Sequence, residues 1–172
     1  MGAPTVEDPA RGIAAAPADV AADAGTGVVV RFGAGRYAVP MSAIAEVGRV
    51  ARVTRVPGVP MWIAGVSNWR GRILPVVDLR PLLGVPASDV QTDARLVVTG
   101  DETISVGLLV EAVEGVATLP AGELDAPPAT VNSDAAELLA GQWNDERGPI
   151  GVIDISAVLR LRARLPRERG RD

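Results

Sequence analysis

The side chains able to do chemistry are few in kind. The chain has 172 residues, with no cysteine and no histidine, and all 17 basic residues are arginine. That excludes thiolate nucleophiles, imidazole bases, lysine Schiff bases, a P-loop lysine and cysteine or histidine metal sites. Carboxylates, hydroxyls, guanidinium and indole remain, so no cofactor is expected. Asp78 and Asp154 follow similar apolar strands and could be read as a catalytic carboxylate pair. Each also stands where an aspartate caps a short helix, which is structural work. The other constellation is Asn68-Trp69-Arg70-Gly71, which puts one of three tryptophans beside an arginine between two apolar strands. Trp and Arg are the residues most enriched in interface hot spots, so one reading is recognition of a partner, though spacing alone favours the other. The alternative is a hairpin tip whose indole folds back on the wall of the fold, the usual fate of a lone aromatic.

Asn at the first and Gly at the fourth position predict a type I turn, with Trp69 and Arg70 central. The elements that must carry this tip read as short strands. GVVVRF and RYAVP flank Gly33-Ala34-Gly35, a tight hairpin. RVARVTRVP alternates arginine or small residues with valine, a half-buried strand. WIAGVSNW and RILPVVD run to and from the tip. RLVVTG and TISVGLLVE form a hairpin around Gly100-Asp101, and VEGVATLP and PIGVID are further strands. Helical signals are confined to DLRPLLG, DAAELLAG and DISAVLRLR.

A repeat is visible within the chain. Leu74-Pro75-Val76-Val77-Asp78-Leu79 through Leu83 matches Ile150-Gly151-Val152-Ile153-Asp154-Ile155 through Leu159. Each is a buried strand, a capping aspartate and one or two helical turns. A weaker echo lies upstream: Ile44-Ala45-Glu46-Val47 and Val113-Glu114-Gly115-Val116. A period of roughly 70–75 residues is too long for a solenoid and implies two similar small β-barrels side by side.

Composition sets the outer bounds. Apolar residues are 48% of the chain, enough for a real core in one domain or two small subdomains. The net charge is −4 with one Phe and one Tyr, so nucleic-acid binding is not expected. No apolar run approaches the length that spans a membrane, and the N-terminus lacks the apolar core of a secretory signal. The lack of cysteine fits a cytoplasmic location. Residues 1–26, rich in Ala, Pro, Gly and Asp, are expected to be a disordered extension, and 162–172 a charged tail.

The run Trp62-Ile63-Ala64-Gly65-Val66-Ser67-Asn68-Trp69-Arg70-Gly71-Arg72-Ile73-Leu74-Pro75-Val76-Val77-Asp78-Leu79-Arg80 resembles the signature of the CheW-like family, adaptor domains of bacterial chemosensory arrays. Tyr37-Ala38-Val39-Pro40, Ile44 to Val47, Thr54 to Pro57 and Gly107 to Val113 follow in the family's order. Trp69 stands where the family has a leucine-like residue, and Ser67 where it often has Ile or Thr.

The resemblance implies a mainly β fold of two SH3-like five-stranded β-barrels with a few short helices. The domain would cover about 27–161, with a first barrel to about 90, a second from about 91, and strand exchange between them. It implies a non-enzymatic scaffold joining methyl-accepting chemoreceptor signalling tips to the regulatory domain of a CheA-type histidine kinase. Such a protein works in the cytoplasm at membrane-associated arrays and reaches the membrane only through receptors. By motif position, Asn68, Arg70, Ile44, Val47 and Gly65 fall at receptor contacts, and Glu46, Val53, Val56 and Trp69 at kinase contacts. The same module in a pilus-motility or other non-flagellar system is the alternative. An enzyme, a small-molecule-binding barrel or a nucleic-acid binder fits the residue inventory less well.

Overall fold

The structure is a computed structural model that describes residues 25–86, 93–100, 103–120, 122, 124–129 and 131–163. The expected N-terminal extension falls outside these up to residue 24, and β1 already begins at Thr26. The expected tail falls outside them from residue 164, because the last helix runs on to Ala163.

Among the described residues, eleven strands form two sheets. Sheet A has the order β10-β11-β2-β1-β9, built from β1 (Thr26–Phe32), β2 (Gly35–Pro40), β9 (Ala112–Thr118), β10 (Leu139–Asp145) and β11 (Gly148–Ile153). Sheet B has the order β3-β7-β8-β6-β5-β4, built from β3 (Ile44–Arg49), β4 (Val53–Thr54), β5 (Ile63–Trp69), β6 (Arg72–Val77), β7 (Arg95–Gly100) and β8 (Ser105–Val110). Three short helices, α1 (Arg80–Leu83), α2 (Ser133–Leu138) and α3 (Ile155–Ala163), pack against one another, α2 touching both α1 and α3.

The chain is not divided between the sheets at about residue 90. The β1–β2 hairpin joins strands from the second half, and β7–β8 joins strands from the first. Reversed, the order of sheet B matches that of sheet A, with β4 as an extra edge. β11 runs parallel to β2 just as β6 runs parallel to β8. The internal repeat of the sequence thus has a structural counterpart, with Asp78 after a strand of sheet B and Asp154 after a strand of sheet A. The sheets have five and six strands rather than five each, and neither closes through a backbone ladder among the described residues.

Burial explains the apolar runs. Val28, Val30, Phe32 and Val39 of sheet A meet Val97, Val106, Leu108 and Val110 of sheet B in a central core with Leu79, Ile153 and Val158. The alternate side chains fill a second core inside each curled sheet. These are Val29, Ala38, Leu119 and Ile150 in sheet A, and Val76, Ala94, Leu96 and Leu109 in sheet B. Strands covered on both faces have no need of polar alternation.

Several local expectations are corrected. RVARVTRVP is not one strand: β3 ends at Arg49, and only Val53–Thr54 pairs again, as β4. Gly58 at φ 76° lies in the turn beyond it, and the prolines at 57 and 60 carry no N–H for a ladder. DAAELLAG is not one helix either, since α2 stops at Leu138 and β10 starts at the next residue. Asp154 caps α3 as expected, its Oδ1 accepting from Ala157 N at 3.1 Å. Asp78 lies one residue before the N-cap of α1, which is Leu79; its carboxylate instead accepts from Arg80 N at 3.0 Å and from the Arg80 guanidinium.

Candidate interaction surface

The turn between β5 and β6 is shifted by one residue from the sequence expectation. Trp69 pairs with Arg72 in the ladder, so the central residues are Arg70 and Gly71. Both have positive φ, 50° and 79°, the signature of a two-residue hairpin turn that follows the right-handed twist of its strands. Arg70 is the only non-glycine residue with positive φ among those described. Asn68 Oδ1 accepts from Gly71 N at 2.9 Å and holds the turn.

The shift decides where Trp69 points. As a strand residue it shares a face with Ser67 and buried Gly65, the face turned to the enclosed core of sheet B. The half-buried indole lies against Gly48 of β3, and its Nε1 donates to Glu46 Oε2 at 2.6 Å. The Arg70 guanidinium forms an ion pair with the other oxygen of Glu46. β3 and β5 are far apart in the strand order, so the sheet is curled, and Glu46, Trp69 and Arg70 tie one end of it to the other.

The remaining sequence candidates do not converge on one spot. Ile44 begins β3 and packs on the central core, whereas Val47 is 42% exposed on the same edge strand. Val53 of β4 packs inward on the sheet B core, while Val56 is exposed in the loop beyond. Gly65 is buried at a bulge, with φ 145°, and a Cβ there would collide with the Thr54 carbonyl oxygen. Its glycine is what lets β4 lie so close to β5. Asn68 and Arg70 are exposed at the tip. A groove of about 340 Å³ opens beside them, floored by Trp69, Leu74 and Val98 and edged by Glu46, Arg70, Arg72 and Ile73.

Sequence reasoning missed Gly48 as the seat of the indole, and also Arg72 and Ile73. It also missed a counterpart strut in sheet A, although the echo of Glu46 at Glu114 was its signal. At the β10–β11 turn Arg147 reaches Glu114 of edge strand β9 at 3.1 Å, as Arg70 reaches Glu46. Arg36 adds bonds to Glu114 (2.9 Å) and to both oxygens of Asp145 (2.8 and 2.9 Å). The Arg36 guanidinium, followed by the Arg147 amide, pulls the Asp145 carboxyl from 3.8 down to about 2. Between the sheets, Arg80, 5% exposed, pairs with Asp78 and with Glu111, whose other oxygen accepts from Gly33 N in the β1–β2 turn. No group of three potential metal ligands occurs among the described residues. Asp78 and Asp154 follow strands of different sheets and are each engaged locally, by Arg80 and by Ala157 N.

The fold built from these two sheets has counterparts in known proteins. A family profile described as CheW-like domain matches residues 26–163. The chemotaxis protein CheW of Bacillus subtilis is 31% identical over 72% of this chain and 79% of its own length. FrzA of Myxococcus xanthus is 30% identical over 75% of this chain and 81% of its own length. PilI of Pseudomonas aeruginosa is 36% identical over 55% of this chain and 53% of its own length. The crystal structure of the scaffolding protein TtCheW from Thermoanaerobacter tengcongensis shares the fold at a TM-score of 0.69 and 24% identity, covering 77% of this chain and 86% of that one. The chain therefore belongs to the CheW-like domain family.

Proposed function

We propose that the protein is a non-enzymatic scaffold adaptor that couples chemoreceptor signalling tips to a CheA-type histidine kinase, in the cytoplasm at membrane-associated arrays. The observation that carries this reading is the hairpin tip. Arg70 stands 77% exposed at its side chain yet is oriented by Glu46, and Asn68 is exposed beside it. An exposed guanidinium whose direction is fixed by a neighbour loses less entropy on meeting a partner than a free one. Family membership supports the reading. So does the inventory of side chains, since the carboxylates of the repeat are held by Arg80 and by the end of α3.

In this reading Asn68, Arg70, Ile44, Val47 and Gly65 belong to the receptor side. Glu46, Val53, Val56 and Trp69 belong to the kinase side. Gly65, Val53 and Trp69 act by shaping the surface, because their own atoms are largely packed inward. A second reading places the same module in a pilus-motility or other non-flagellar system. The resemblance to PilI and FrzA at 36% and 30% identity, alongside 31% for the chemotaxis relative, favours keeping it.

The test is co-sedimentation of this protein with the CheA-type kinase and receptor signalling fragments of each chemosensory system of its organism. Wild type is expected in the ternary pellet of one system, with stimulated kinase activity. Arg70→Glu, which places two carboxylates together at the tip, is expected to drop out while keeping its fold. Absence of wild type from every pellet would sink both readings.

A further inference from the structure

Trp62 opens the sequence signature, yet the hairpin tip does not use it. It stands just before β5, at the end of that strand away from the tip. There a groove of about 380 Å³ opens among the three helices. Its floor is Trp62 with Leu82 of α1, Leu138 of α2 and Leu161 of α3. Its rim is acidic. Asp134 and Glu137 of α2 stand exposed there, and the one guanidinium among the described lining residues, that of Arg160, reaches back to Asp154 at 3.9 Å. An apolar floor under a carboxylate rim fits an apolar residue set among cations.

The chain carries such a segment at the groove's own edge. Ala157, Arg160 and Leu161 turn one face of α3 to the groove. The next positions on that face, three and four residues after Leu161, are Arg164 and Leu165. Leu165 is two residues, at most about 7 Å of chain, beyond Ala163, where the described residues end. Residues 164–172 hold four arginines and two acids. Residues 1–24 hold one arginine and four acids, and 87–92 one acid and no arginine. Of these stretches outside the described residues, only 164–172 has the charge that the rim attracts.

We propose that the groove is the docking site of the chain's own segment 164–172, with Leu165 on the apolar floor and Arg164 and Arg167 against Asp134 and Glu137. The inference stands apart from the adaptor reading. Seated there, the segment covers apolar surface that the three helices leave open to water. Its tether to α3 supplies the high local concentration that lets so short a contact hold.

NMR on the full chain tests this, with the indoles as reporters. Trp69 in β5 and Trp143 in β10 do not line the groove and serve as controls. Nuclear Overhauser contacts are expected between the Leu165 methyls and the Trp62 indole, unchanged on dilution. Deleting 164–172 should shift the Trp62 indole N–H signal and leave those of Trp69 and Trp143 in place. Leu165→Asp keeps the full chain, should give the same shift, and carries the test where the deletion costs the fold. Arg164→Glu/Arg167→Glu should shift the signal likewise at low salt, and adding Glu137→Arg should largely reverse that shift. A Trp62 signal identical in wild type, the deletion and Leu165→Asp overturns the inference. Contacts seen only between differently labelled chains overturn it in favour of a second copy. A Trp62 signal indifferent to Leu165→Asp but shifted by a CheA-type kinase or a receptor fragment overturns it in favour of that partner.

Discussion

Trp69 lies directly against Gly48: a Cβ built on that glycine would come within 2.5 Å of the indole Cη2. The glycine is there for space and not for its backbone, since its φ is not positive. With the Glu46 bond on the same strand, the indole is seated on a two-point support that holds the hairpin tip against the opposite end of the sheet.

Gly48→Ala is therefore expected to destabilise the protein by about 2 kcal/mol through overpacking, because a rigid ring cannot give way as a flexible chain would. In a Trp69→Leu background, which restores the residue type of the family signature, the same substitution should cost about 1 kcal/mol less. Urea unfolding of the four proteins closes the cycle. Additive costs would mean that the indole and the glycine do not press on each other.

The extent to which this was legible depended on sequence distance. Hairpins such as Thr26–Phe32 with Gly35–Pro40 could be read because both strands and their turn are contiguous. The repeat was legible because each copy carries its own strand, aspartate and helix. The tip was misplaced by one residue because propensity reserves positive φ for Gly and Asn, and here Arg70 adopts it. The spacing still favours an indole folded back on the wall of the fold, and the one-residue shift supplies the reason, since it makes Trp69 a strand residue facing inward. Glu46 and Gly48 as partners of the tip were not legible at all. They lie across the fold, and only the curl of the sheet brings them there. Leu139 to Gly141 reads as a continuation of the DAAELLAG helix until Gly148 to Ile153 is present to pair with it.

Ser67 gives a prediction of the opposite sign. It is 2% exposed, and its Oγ is the one buried side-chain polar atom without a hydrogen-bond partner among the described residues. A buried hydroxyl left unpaired loses its hydration for nothing. Ser67→Ala is expected to raise stability by about 1 kcal/mol, seen as a higher urea midpoint with unchanged slope. A lower midpoint would show that the hydroxyl is satisfied in solution.

Glu111 links three elements, accepting from Arg80 in sheet B's following helix and from Gly33 N in the first hairpin of sheet A. The Arg80 guanidinium is pushed further toward its charged form by its bonds to Asp78 and then by Glu111, against the opposing effect of burial. Glu111→Ala removes part of the countercharge of a buried cation and leaves a turn amide without its acceptor. It is expected to cost about 3 kcal/mol, by breaking a buried charge network from one side. Glu111→Gln keeps an acceptor for Gly33 and should cost less. Equal losses in the two variants would place the effect in packing rather than in charge.

Asp145 makes the acid limb of stability testable. Its carboxyl is held at about 2 instead of 3.8, first by the side-chain bonds from Arg36 and then by the Arg147 amide. A carboxyl whose pKa is lower in the folded state favours folding when ionised. Its contribution is whole above about pH 4 and is lost as pH falls toward about 2. Arg36→Gln should return the Asp145 titration, followed by NMR of the carboxyl carbon, most of the way to its ordinary value. The wild type should lose stability more steeply than Asp145→Asn over that same interval. An Asp145 midpoint that does not move in Arg36→Gln would show that the guanidinium does not hold the carboxylate in solution, and that the two ends of sheet A are joined by Glu114 alone.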